Sequence, residues 1–394
     1  MSMNACPAEL LAQIIKWVPT NKELRILRAV DKTFCALATP LAFRRVYVRN
    51  RLPSALDLQA LMERDELAKV VETIVFRWAR TPSITEGEST RRATRVALEA
   101  VFTQLHRFPA LVGIELNLCP DMFPEPLIAD ENGNIDLERN PSEPGSVEVT
   151  LVQAILRATD RPRLKSLTLA NLLAYPHLHY KSEEFVGLLS SLEHLHIGFH
   201  GLCSVRGPNG AYSGLIVPLW QDVIPGYFLR PTQARLTSLT LMSDQPVGRS
   251  PNVDLSQLFF PNLRYLELGA IMFDNRRHTE NFIVQHGRTL RTLVLDSCPM
   301  HVRLLQDPPR PWRDVCDRFA EALEVLVDVQ FHVREGWGLD NRKRTGEVRL
   351  YYTIAETGSG GDRGWDTRQY EPADRPAIER LLAKVEERRL HCSL

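Results

Sequence analysis

Leu263-Arg264-Tyr265-Leu266-Glu267-Leu268 and, 27 residues later, Leu290-Arg291-Thr292-Leu293-Val294-Leu295 repeat one six-residue pattern, L-x-x-L-x-L. Its last positions alternate, so Leu266 and Leu268 leave one side of an extended chain while Tyr265 and Glu267 leave the other. The pattern recurs at Leu111-Ile114-Leu116, Leu164-Leu167-Leu169, Leu192-Leu195-Ile197 and Leu236-Leu239-Leu241. A weaker copy is Val71-Ile74-Phe76, and a degraded one starts at Leu323-Leu326. First positions are separated by 40, 53, 28, 44, 27, 27 and 33 residues. Apolar helical stretches fall between the strands, at Val96 to Leu105, Val149 to Leu156 and Phe185 to Leu189. Such alternation predicts an α/β fold with a parallel sheet. Repetition predicts that each unit buries its face against the next as a solenoid, and unrelated buried strands in an α/β domain are the other reading.

The 27- and 28-residue spacings resemble those of leucine-rich repeats, with insertions in the longer units. In that family's fuller pattern, an Asn or Cys eight positions after the first Leu bonds loop backbone. Cys119 and Cys298 stand there, each followed by proline (Pro120, Pro299), while Leu172, His200, Asp244 and Ile271 take the place in other repeats. The expectation is a divergent leucine-rich-repeat solenoid over residues 51–330, with surface turns such as Gly207-Pro208-Asn209-Gly210. Residues 331–394 would form a C-terminal cap: a strand from Glu347 to Ile354, a glycine-rich loop from Gly358 to Gly364, and a helix opened by Pro376. Ile378, Leu381, Leu382 and Val385 share one face of that helix.

Residues 1–50 follow helical spacing instead. Leu10, Leu11, Ile14, Ile15 and Val18 recur on one helical face, with Pro7 and Glu9 suited to the first turn. Thr20-Asn21-Lys22-Glu23 reads as a capping box for a second helix, and Asp31 caps a third. Pro40 is expected to end that helix, and Phe43 to Val48 to leave extended. The segment resembles the F-box, the motif that ties a substrate receptor to the Skp adaptor of a cullin-based ubiquitin ligase. Pro7, Glu9, Leu10, Leu11, Ile14, Leu24, Leu27, Val30, Lys32, Phe34 and Leu37 carry the resemblance. Pro40-Leu41-Ala42-Phe43-Arg44-Arg45-Val46 resembles the ending common in fungal members. Cys6 stands where the family has Leu, and Asp31 where it has Ser. The resemblance implies that Pro7, Leu10, Leu11, Ile14, Leu24, Leu27, Val30, Phe34 and Leu37 are divided between an adaptor interface and the local core.

Composition narrows the function classes. Lys plus Arg equals Asp plus Glu at 48 each over 394 residues, which argues against generic nucleic-acid binding. Seven cysteines without a C-x-x-C pair read as reduced thiols. No N-terminal apolar leader and no long apolar run stand out, so a cytoplasmic or nuclear protein without membrane contact is expected.

Candidate chemistry is sparse. Asp130-Glu131-Asn132-Gly133-Asn134-Ile135-Asp136 is similar to a calcium loop, but Ile128 and Arg139 stand where the anchoring carboxylates belong. His177, His179, His194, His196 and His200 cluster in sequence without further ligands at zinc spacing. Gly358 to Gly364 lacks the ending of a phosphate loop, and Arg342-Lys343-Arg344 reads as a solvated turn. No nucleophile elbow or H-E-x-x-H pair is present, so no catalysis, cofactor or metal is expected. The F-box resemblance then implies a non-catalytic substrate receptor, bound through the Skp adaptor to a cullin ligase, with its repeats holding a protein target. The side chains between the inward leucines would face that target, among them His194, His196, Thr240, Tyr265, Glu267 and Thr292. A leucine-rich-repeat interaction scaffold without a ubiquitin role is the alternative.

Overall fold

The computed structural model describes residues 6–79, 87–118, 143–160, 162–200, 216–248, 251–303, 310–332, 351–355, 362–364 and 371–392. The chain is mixed α/β and divides into two compact units, Met1–Cys119 with Glu143–Thr168, and Pro120–Ser142 with Leu169–Leu394.

The first unit opens with α1 (Ala8–Lys16), α2 (Asn21–Leu27) and α3 (Lys32–Phe43). Thr20 and Glu23 close the expected capping box, and the Asp31 carboxylate accepts the Phe34 N–H at 2.8 Å. Leu11, Ile15, Leu24, Phe34, Ala38 and Ala42 form the core of these helices. Pro40 does not end α3, which runs on to Phe43. The ring removes one ladder N–H, while Ala38 and Ala42, both buried, keep the last turn on the core. Then follow β1 (Arg45–Arg49), α4 (Leu52–Met62), α5 (Asp65–Ala68), β2 (Thr73–Arg77), α6 (Glu88–Phe102), β3 (Gly113–Asn117) and α7 (Glu143–Arg157). The strands β1, β2 and β3 pair in that order, all parallel. Val46, Ile74 and Ile114 align across them, as do Val48, Phe76 and Leu116, and all six are buried.

The strand β4 (Ser166–Leu173) spans the division. The second unit continues with α8 (Glu183–Leu189), β5 (His194–His200), α9 (Ile216–Pro218) and a π-helical stretch over Leu219–Leu229. Next come β6 (Ser238–Val247), β7 (Tyr265–Ile271), α10 (His278–Val284), β8 (Thr292–Asp296) and β9 (Pro299–Arg303). The last elements are α11 (Trp312–Ala322), β10 (Asp328–His332), β11 (Tyr351–Ala355), β12 (Asp362–Gly364) and α12 (Glu371–His391). β5, β6, β7, β8 and β10 pair side by side in parallel. Leu195, Leu239, Leu266, Leu293 and Val329 form one buried row across them. Each such leucine contributes on the order of 1.5–3 kcal/mol through burial. β9, β11 and β12 make a separate small sheet.

Two further expectations are corrected. The last repeat is led by Leu326, not Leu323: Val329 stands opposite Leu293, and Leu323 caps α11. The final helix starts at Glu371 and absorbs Pro376, which gives up a single ladder bond near its start. The calcium-loop similarity, the Gly207–Gly210 turn, the Arg342–Arg344 cluster, Cys119, residues 347–350 and residues 358–361 lie outside the described residues.

Backbone contact limits what can replace Gly287. A Cβ there would sit 2.0 Å from the Ala322 carbonyl oxygen, where the end of α10 meets the end of α11. Gly287→Ala is expected to destabilise the protein by about 1–3 kcal/mol or more, since backbone cannot rotate away as a side chain can. Urea denaturation measures this, and a neutral result would contradict the packing described.

Candidate functional site

The helix α1 carries two apolar stripes, and the local core covers only one. Leu11 and Ile15 point inward, while Leu10, Ile14 and Trp17 follow each other at four- and three-residue steps on the outside. Leu10 is 55% exposed, Ile14 60% and Trp17 83%; Ile26 of α2 and Val30 beyond it are 60% and 59% exposed. Ile14, Trp17, Val18, Pro19, Glu23, Ile26 and Leu27 line a shallow groove of about 530 Å³. Large side chains left in water this close together make a candidate interaction surface, because covering them would release the transfer free energy that folding leaves unused.

The nine side chains singled out for adaptor binding separate cleanly. Leu11, Leu24 and Phe34 are buried in the helical core, and Leu27 and Leu37 are half-buried. Pro7, Leu10, Ile14 and Val30 are exposed. Sequence reasoning missed Trp17 and Ile26. Trp17 was within reach, since it continues the step from Leu10 to Ile14. Ile26 was not, because the face of a seven-residue helix depends on the angle at which it packs.

A second surface lies on the strand face of the second unit. His194, Ser238, Tyr265 and Thr292 stand in one register row, and His196, Thr240, Glu267 and Val294 in the next. All six side chains expected to face a target therefore come together. The Glu267 carboxylate accepts from the Tyr265 hydroxyl at 2.9 Å and from Thr240 Oγ1 at 3.2 Å. Burial, then the Glu267 contact, pushes the Tyr265 phenol well above its ordinary range. Burial lowers His196, with the nearby Glu267 pulling the other way. His194 is exposed, Thr240 is buried, and the other four are half-buried. One carboxylate holding two hydroxyls fixes the polar side chains of this face in place.

Among the described residues, no group of three or more His, Cys, Asp or Glu side chains gathers around a possible metal position. The remaining histidines of the sequence cluster, His177, His179 and His200, have local partners. His177 and His179 stack with ring centroids 4.9 Å apart, and His200 Nδ1 lies 3.4 Å from Asp244 Oδ2. No described helix is long and apolar enough to cross a membrane. No family model matches the chain, and no curated protein matches it in sequence.

Burial, with His179 adding to it, pushes His177 down to about 3, and burial pushes His179 down to about 4. Both fall below the unfolded value of 6.5, so the unfolded chain binds more protons between those limits. Their neutral forms stabilise the fold fully above that value, and this contribution is lost as pH falls. His177→Gln with His179→Gln is expected to flatten the acid-side loss of stability, by up to about 1.4 kcal/mol per pH unit for each proton removed. Denaturation at pH 7, 6, 5 and 4 checks it; an unchanged slope would show that neither ring is buried neutral.

Proposed function

We propose that the chain is a non-catalytic substrate receptor of a Skp–cullin–F-box ubiquitin ligase, working in the cytoplasm or nucleus. The exposed stripe of Leu10, Ile14, Trp17, Ile26 and Val30 carries this reading. The helices below it already have a closed core of their own, so the stripe is surplus to folding and suited to docking. The F-box resemblance names the Skp adaptor as the occupant. The parallel strands are read as a divergent leucine-rich-repeat solenoid. Two features support this: the 27-residue spacing of the leading leucines, and the Cys298 thiol, which donates to the Leu268 carbonyl at 3.2 Å. The face around His196, Tyr265 and Glu267 then holds a protein target, and catalysis comes from other subunits by raised effective concentration.

Co-expression with the Skp adaptor tests the proposal. The full chain is expected to co-purify with the adaptor in equal amounts. Ile14→Asp with Ile26→Asp should weaken the complex by about thirtyfold or more, since losing even one central apolar anchor costs about 2 kcal/mol. These positions are exposed, so the thermal midpoint of the variant should be unchanged. Charge at Leu11 would be a poor control, because Leu11 lies in the core. A soluble, folded chain that forms no complex would overturn the assignment.

A further inference from the structure

The first unit has a second concave surface, which borders the apolar stripe at Ile26. A cleft of about 1300 Å³ lies between α2 and α4, along strand β1. Its lining includes Lys22, Arg25, Arg49, Arg51, Arg64 and Arg77, and Asp57 is the sole carboxylate among the lining residues. Lys22, Arg25, Arg49, Arg64 and Arg77 are all exposed, and none has a carboxylate partner among the described residues. Neighbouring Arg44 and Arg45, by contrast, pair with Glu72 and Glu115. In a chain whose charges balance at 48 each, this is a local excess of one sign in a concave wall, where fields are focused. Arg77 also lies over the Tyr47 ring at 4.6 Å, which orders the guanidinium without neutralising it.

The floor of the cleft is a sheet edge. Among the described residues β1 pairs with β2 alone, and the Arg44 carbonyl takes the Glu72 and Thr73 N–H groups on that side. In a parallel ladder the backbone groups of Val46 and Val48 follow Arg44, which turns those of Tyr47 and Arg49 outward. Arg49 satisfies its own groups locally: its N–H donates to Ser54 Oγ, and its carbonyl accepts from Arg51 N–H. Tyr47, which lines the cleft, keeps an outward N–H and C=O. An edge of this kind is a template for an added strand.

We propose that the cleft binds an extended acidic segment of a partner protein, added as a strand along β1 with its carboxylates against Arg49, Arg64 and Arg77. The backbone donor and acceptor at Tyr47 favour a peptide over a nucleic acid, which has no matching ladder. The site meets the apolar stripe at Ile26, which lines both, but its basic wall and the β1 edge lie outside the stripe, and binding there does not require the adaptor.

The test uses the full chain alone with the fluorescein-labelled heptapeptide Glu-Val-Glu-Val-Glu-Val-Glu, followed by anisotropy at two salt concentrations. The peptide is expected to bind, more weakly at high salt, and its lysine counterpart is expected not to bind. Arg49→Glu with Arg64→Glu should weaken binding at least about tenfold. Tyr47→Pro should do the same, because it deletes an outward N–H and leaves the β2 ladder intact. A peptide carrying N-methyl groups on alternate amides gives the same readout without touching the protein. No binding, or binding indifferent to the charge reversal, overturns the proposal. Loss on charge reversal without loss on Tyr47→Pro or N-methylation overturns strand addition. Equal or tighter binding of a ten-residue oligothymidine would make the cleft a nucleic-acid surface instead.

Discussion

Register between parallel strands is the constraint on which the rest of the second unit depends. Each strand from β5 to β8 begins two residues after a leading leucine, at His194, Ser238, Tyr265 and Thr292. Side chains along a strand alternate, so a slip of one residue would send Glu267 into the core and Leu266 into water. The apolar row from Leu195 to Val329 forbids that slip. The polar rows on the opposite face are its consequence: Glu267 meets Thr240 because Leu266 meets Leu239. The polar face is therefore only as precise as the core beneath it.

The N-terminal helices obey a different economy. They are too short to bury all of their large apolar side chains, and their core closes around Leu11, Ile15, Leu24 and Phe34. What remains outside is an exposed stripe of Leu10, Ile14, Trp17, Ile26 and Val30, suited to docking. β1, which follows these helices, is a sheet edge with Arg45 and Arg49 at exposed positions. Apolar and basic surfaces thus sit on one unit and differ in chemistry.

Much of this was legible in the sequence. Strand positions followed from the leucine spacing because the period-two alternation leaves one plausible face. The caps at Thr20 and Asp31 were legible because side-chain oxygens and free backbone N–H groups meet within a few residues. Both proline boundaries were misread, since burial of the flanking turns outweighs one lost hydrogen bond at Pro40 and Pro376. Which of Leu10 and Leu11 faces inward was not legible, because neighbouring residues differ by only part of a turn. The basic cleft was also hidden: Lys22, Arg49, Arg64 and Arg77 are far apart in sequence, and only the packing of α2 and α4 about β1 gathers them.

The central claim is that the exterior of α1 and α2 is a docking surface whose closure requires a partner. Hydrogen exchange on the full chain, alone and saturated with the Skp adaptor, tests it most directly. The account predicts added protection over Ala8–Lys16 and Asn21–Leu27, with the strands from β5 to β8 unchanged. Protection confined to the strand face, with none over α1 and α2, would contradict it.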